Sequence, residues 1–102
     1  MEKVRIRGAG EGFAVRAGTG RSQAATMVMA PGESTGGPDN AHRGSDQWLY
    51  VVDGRAAVTV EGREVTVEPG ELLLIEAGET HEVRSTGEGA LVTLNVYAPP
   101  EY

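Results

Sequence analysis

Two imidazoles, His42 and His81, are the only ones in the 102-residue sequence, and it contains no cysteine. The absence of thiols removes disulfides, thiolate zinc sites and a cysteine nucleophile at once, so any metal must be held by nitrogen and oxygen. Both histidines stand where a reactive side chain is expected. His42 lies in a polar stretch entering an apolar segment, and His81 follows the Ala77-Gly78 turn. Taken singly, the first reads as a surface residue and the second as a partner for a turn carbonyl. No Ser/His/Asp arrangement, phosphate-cradling glycine loop or close carboxylate pair is present to offer nucleophilic, phosphoryl or glycoside chemistry.

The elements that must position these residues are short strands. From Gln47 onward, apolar stretches are each closed by a glycine turn: Gln47 to Val52 at Asp53-Gly54, Arg55 to Val60 at Glu61-Gly62, then Arg63 to Val67 and Pro69-Gly70. Glu71 to Glu76 carries the run Leu72, Leu73, Leu74, Ile75, which predicts burial on both faces, and His81 to Ser85 and Ala90 to Tyr97 follow. Before these, Lys3 to Arg7, Phe13 to Arg16 and Ala24 to Ala30 read as strands, and Pro31 to Ser45 reads as a long polar loop of the kind that carries function. About nine strands predict an all-β sandwich or barrel forming one domain over residues 1–102. Strand parity places Gln47, Leu49 and Val51 on one face, and His81, Val83 and Ser85 on one face of their own strand. Gln47 and His81 can therefore both point inward. Trp48 and Tyr50 fall on the opposite face, where packing between sheets or at a subunit contact is expected.

Fifteen acidic against nine basic side chains give a net charge of −6, which repels a phosphate backbone or an anionic membrane surface. Neither a nucleic-acid nor a membrane partner is expected. No apolar run is long enough to span a bilayer, and the first residues lack the apolar stretch of a secretion signal, so a cytoplasmic location is expected. Fifteen glycines and five prolines suit tight turns rather than long helices.

The stretch Asn40, His42, Gln47, Gly54 resembles the first motif of the cupin family, in which a pair of histidines spaced by one residue is followed by a glutamate and a glycine. Counted back from Gly54, Gln47 stands at the glutamate, His42 at the second histidine and Asn40 at the first. Gly70, Glu76, Gly78, His81 and Ser85 resemble the second motif, with Glu76 at its proline and Ser85 at its asparagine. The resemblance covers residues 31–97, with 1–30 as preceding strands and 98–102 as a tail. It implies a double-stranded β-helix, a jelly-roll barrel of two antiparallel sheets, forming a homodimer. It further implies one divalent transition metal, Zn, Fe, Mn or Ni, held by His42, His81, Gln47 and Asn40. The amides depart from the family pattern: all four candidate ligands are neutral, which predicts weaker or less selective metal binding. An acid such as Asp39 or Asp46 would have to swing in to complete an iron-type triad. Met29, Tyr97 and Arg43 are the candidates for contacting a substrate.

Three functions compete. The first is a metal-dependent enzyme of oxygenase or isomerase type acting on a small polar substrate. The second is a non-catalytic binding or sensing module for a small molecule, with a metal-free or weakly metal-binding pocket. A purely structural oligomerising barrel ranks last, because it leaves the inward polar cluster unexplained.

Overall fold

The computed structural model describes residues 1–37 and 40–102, and Asp39 lies outside the described residues. Nine strands follow in chain order: β1 (Gly12–Gly18), β2 (Gln23–Met29), β3 (Ser34–Ala41), β4 (Asp46–Asp53), β5 (Ala56–Val60), β6 (Arg63–Val67), β7 (Leu72–Ile75), β8 (Thr80–Ser85) and β9 (Leu91–Ala98). They form a five-stranded sheet of order β1-β2-β9-β4-β7 and a four-stranded sheet of order β3-β8-β5-β6, with all recorded pairings antiparallel. This is the double-stranded β-helix expected from the sequence. Among the described residues, no helix is long and apolar enough to cross a membrane.

Three turns share one construction. In Ala30-Pro31-Gly32-Glu33, Glu68-Pro69-Gly70-Glu71 and Glu76-Ala77-Gly78-Glu79, the last N–H donates to the first carbonyl at 3.1, 3.0 and 3.0 Å. The glutamate carboxylate then accepts from the first residue's N–H at 2.6, 2.8 and 2.8 Å. The glycine in each turn has φ near +90°, the value that a type II turn requires at that position. The third of these turns delivers β8 and thereby His81. Gly54 meets a harder constraint at the β4–β5 turn: its φ is +85°, and a Cβ there would stand 2.5 Å from the Ala90 carbonyl oxygen.

The inner faces grade from polar to apolar. Leu49 and Val51 of β4, Val58 of β5, Val83 of β8 and Leu91 of β9 are buried in one apolar cluster with Met27, Met29 and Ile75. Gln47, His81, Asn95 and Tyr97 continue the same inward rows and are also buried, which leaves a polar end to the barrel.

Four expectations need correction. Lys3 to Arg7 form no strand, because the alternating Val4 and Ile6 find no sheet to pair with. The supposed loop contains β3, which pairs Ser34 with Arg84, Thr35 with Val83 and Gly36 with Glu82 at the edge of its sheet. The run Leu72 to Ile75 is not buried on both faces, since β7 is an edge strand that buries Ile75 and leaves Leu72 57% exposed. Trp48 and Tyr50 face outward beside Leu74 and Leu72, their partners across β4 and β7, rather than between the sheets.

Candidate functional site

A cavity of about 250 Å³ opens at the polar end of the barrel, and His42, His81, Gln47 and Asn40 all line it. Three strands and one connecting segment converge to build it. Gln47 starts the inward row of β4, His81 starts that of β8, Asn40 comes from β3, and His42 follows one residue after β3. His42 and His81 are buried, with their rings tilted by 47° and their centroids 4.8 Å apart. Gly36 also has a hand in this approach, because a Cβ at its position would lie 2.6 Å from the His81 carbonyl oxygen.

The hydrogen bonds fix the chemical state of each polar group. His81 Nδ1 lies 3.3 Å from the Glu79 carbonyl, which can only accept, and Nε2 lies 3.3 Å from Asn40 Nδ2, which can only donate. Together these contacts select the Nδ1–H tautomer with a lone pair on Nε2. Burial pushes the His81 pKa below its ordinary value against the opposing contact with the Glu79 carbonyl, and any charge on nearby His42 acts in the same direction as burial. The ring is therefore held neutral, as a ligand or acceptor must be. His42 Nδ1 stands 3.2 Å from a Glu101 carboxylate oxygen, a contact that favours a proton over a lone pair on that nitrogen.

Gln47 is 4% exposed, and its Nε2 donates to Asn95 Oδ1 at 3.0 Å. Asn95 Nδ2 in turn donates to Thr93 Oγ1 at 3.0 Å. This chain holds the amide in one orientation and leaves Gln47 Oε1 buried without a hydrogen-bond partner among the described residues. A buried carbonyl oxygen left in this way costs free energy unless a ligand satisfies it.

An aromatic wall faces these groups. Tyr97 packs edge-on against His42 at 5.2 Å and against Tyr102 at 5.2 Å, and Phe13 stacks 4.8 Å from Tyr102. Burial raises the pKa of both phenols, for Tyr97 with a further contribution from Tyr102. Both hydroxyls keep their protons at neutral pH and remain donors.

The sequence candidates are distributed unevenly around this cavity. Asn40, His42, Gln47, His81 and Tyr97 come together in it. Met29 lines an adjoining cavity, and it is Met27 that reaches this one. Arg43 is exposed. Asp46 is exposed on the outward face, where its carboxylate accepts from the Ala77 N–H at 2.9 Å. Phe13, Glu101 and Tyr102 are the residues that sequence reasoning missed. Only the clustering of an acid and a ring just beyond Pro99-Pro100 hinted at the last two. Among the described residues, no group of three or more His, Cys, Asp or Glu side chains is placed to hold a metal ion. Any ion here would depend on amide oxygen.

Residues 25–97 match the family described as Cupin domain. The chain belongs to the cupin family. It is similar to the tetracenomycin polyketide synthase protein TcmJ of Streptomyces glaucescens, at 37% identity over 61 residues, covering 60% of this chain and 40% of that protein. It is also similar to the oxalate-binding protein of Thermotoga maritima, at 29% identity over 72 residues, covering 71% of this chain and 58% of that protein. The chain thus spans about half the length of these relatives. Among solved structures, BH2720 of Bacillus halodurans superposes with a TM-score of 0.86 at 26% identity, over 95% of this chain and 76% of that one. The cupin cavity of this chain differs from the family's first motif at the two positions occupied by Asn40 and Gln47.

Proposed function

We propose that the cavity is a binding site for one divalent metal ion and a small anionic molecule. The observation that carries this reading is the buried Oε1 of Gln47, without a hydrogen-bond partner among the described residues, in the same cavity as two histidines whose Nδ1 atoms face a carbonyl and a carboxylate. Two imidazole Nε2 atoms and one amide oxygen are a chemically suitable donor set for Zn, Mn, Fe or Ni. Asn40 gives way at little cost, because it is exposed and its contact with His81 is long.

With all these donors neutral, the charge of a divalent ion stays uncompensated by the cavity, which favours an anionic ligand beside it. The Tyr97 and Tyr102 hydroxyls are donors suited to the oxygens of such a ligand. The name of the oxalate-binding relative agrees with this chemistry. A cavity of about 250 Å³ lies below the roughly 300–1,000 Å³ usual for drug-sized ligands, so the molecule is small. When bound, the metal supplies Lewis acidity, and this supports an enzyme of oxygenase or isomerase type as the catalytic form of the reading. Gln47 and the histidines bind, and the aromatic wall shields one side from water.

One observation favours the second reading, a metal-free binding module. Asn40 already satisfies His81 Nε2, as it would in a cavity that recognises its ligand by hydrogen bonds alone. Elemental analysis of protein purified without a histidine tag or chelator separates the two. Near-stoichiometric transition metal, lost in both His42→Ala and His81→Ala, is the expected result. Metal-free wild-type protein that also fails to bind Zn²⁺ or Mn²⁺ on titration, with the fold intact, refutes the metal reading. The outward row of Trp48, Tyr50, Leu72 and Leu74 supports the homodimer expected from the family resemblance, since apolar residues that lie together on a sheet face favour a partner.

A further inference from the structure

The first cupin motif of this chain has no carboxylate at position 47, yet one reaches His42 from an unexpected element. Beyond β9 the chain passes a cis Ala98–Pro99 bond and runs as a strap, residues 99–102, across the polar end of the barrel. Two buried polar side chains fasten it. Ser45 Oγ donates to the Pro99 carbonyl at 2.6 Å. Gln23 grips Tyr102 twice, with Nε2 donating to its carbonyl oxygen at 2.6 Å and Oε1 accepting from its N–H at 3.0 Å. Between these fastenings, Glu101 puts a carboxylate oxygen 3.2 Å from His42 Nδ1, with its own side chain only 28% exposed.

We propose that Glu101 is the positioning residue of the site: delivered by the strap, its carboxylate holds His42 as the Nδ1–H tautomer and so presents the lone pair of Nε2 for ligation. A carboxylate accepts and never donates when ionised, so it can pair only with a protonated ring nitrogen. A histidine that ligates through one nitrogen commonly donates its other N–H to a carboxylate, which fixes the ring and raises its basicity. His81 is held in the same tautomer by the Glu79 carbonyl, a backbone group, whereas His42 depends on a side chain some sixty residues away in sequence. The charge missing from position 47 is thus supplied one shell further out, behind the imidazole. It acts on His42 and leaves the cavity interior neutral.

The effect on metal affinity rests on the proposed metal reading, whereas the effect on the tautomer does not. The test therefore uses both. Protein labelled with ¹⁵N at histidine is examined by NMR without metal, well above the ordinary imidazole pKa of about 6.5. Wild type, Glu101→Ala and Glu101→Gln are then titrated with Zn²⁺ alone. The expected spectra show His42 as Nδ1–H in wild type, a tautomer mixture in Glu101→Ala, and recovery of Nδ1–H in Glu101→Gln, whose amide oxygen still accepts. His81 should keep its tautomer throughout, a distinction that general loosening of the strap would not preserve. Zn²⁺ affinity should fall about 10- to 100-fold in Glu101→Ala, and by less in Glu101→Gln. An unchanged His42 tautomer in Glu101→Ala overturns the proposal whatever the metal result. If wild type binds no Zn²⁺ while the tautomer still depends on Glu101, the metal reading fails and the positioning role stands.

Discussion

Replacing Gln47 by glutamate restores the residue type that the cupin motif leads one to expect, and should destabilise the metal-free protein. The Gln47 amide is almost wholly buried and donates to Asn95 Oδ1, which is itself oriented by the Asn95–Thr93 bond. In Gln47→Glu an acceptor oxygen replaces the donor and faces another acceptor. Losing the bond and leaving Asn95 Oδ1 unsatisfied costs about 1–3 kcal/mol. Desolvating the new carboxylate adds to that while it stays ionised; if it takes up a proton, its O–H can donate to Asn95 Oδ1 and the loss falls to the lower end of the range. A net loss of about 2–4 kcal/mol corresponds to a fall in Tm of roughly 10–20 °C for a domain of this size. A divalent ion at Oε1 narrows the deficit, since the same carboxylate becomes a charged ligand, and at a common excess of ion a Kd one hundred-fold lower in Gln47→Glu than in wild type recovers about 2.7 kcal/mol. Thermal denaturation of wild type, Gln47→Glu and Gln47→Leu, each with and without saturating Mn²⁺ or Zn²⁺, reads this out. The deficit of Gln47→Glu should narrow with metal, while that of Gln47→Leu should widen, because wild type gains from the ion and leucine offers it no donor. An equal deficit for Gln47→Glu with and without metal would show that no cation binds beside this position.

Three further outcomes follow from the fold. Gly54→Ala combines a φ of +85° with a Cβ contact of 2.5 Å, and should cost about 2–4 kcal/mol in urea denaturation, against about 1 kcal/mol for Gly62→Ala, where nothing lies within 4 Å. The Glu61 carboxylate accepts from Thr80 Oγ1 at 2.6 Å and from its N–H at 3.0 Å, and these bonds hold its pKa below the ordinary 4.5. Its stabilisation is present above that value and lost as the pH falls through the lowered one, so Glu61→Gln should flatten stability against pH below about 4.5 when followed by acid-dependent denaturation. Leu72→Lys with Leu74→Lys places two charges on the outer face of β7, and should convert a dimer to a monomer in analytical ultracentrifugation with little change in Tm; wild type sedimenting as a monomer at high concentration would remove the dimer reading.

What was legible in the sequence was whatever hydrophobicity or turn chemistry records. Val58-Thr59-Val60 and Val65-Thr66-Val67 flank Glu61-Gly62, and the structure pairs Val60 with Arg63 across that turn as the alternation requires. The inward parity of Gln47 and His81 followed from a period of two and holds in the two sheets. β3 was invisible because Ser34, Thr35, Gly36 and Gly37 bury no apolar surface, and an edge strand held by backbone bonds to β8 needs none. The Leu72 to Ile75 run misled for the converse reason: continuous apolar sequence marks either a doubly buried strand or an edge strand with an exposed apolar face, and periodicity cannot distinguish them. Glu101 was unreadable on other grounds. Its partner is remote in sequence, and only the strap formed by Gln23 and Ser45 brings the two together.

The two amides that depart from the cupin pattern make a consistent pair once their bonds are considered together. In the metal-free cavity each uses its NH₂ group within the protein, Asn40 in a long contact with His81 that an ion at Nε2 would displace and Gln47 in a bond to Asn95 that it would leave intact. What Gln47 offers beyond its bond is acceptor character without charge, and among the described residues the Glu101 carboxylate stands on the Nδ1 side of His42. In a chain of net charge −6, a neutral cavity by itself has little attraction for an anion. With a divalent ion bound, the same cavity favours one, and by linkage the anion must tighten the ion by the same factor. A carboxylate at position 47 would weaken that coupling by neutralising part of the ion's charge in advance. On the proposed metal reading, Gln47 would give up affinity for the metal alone in exchange for a larger dependence of each ligand on the other, as a site that engages its ion and its small anion together requires.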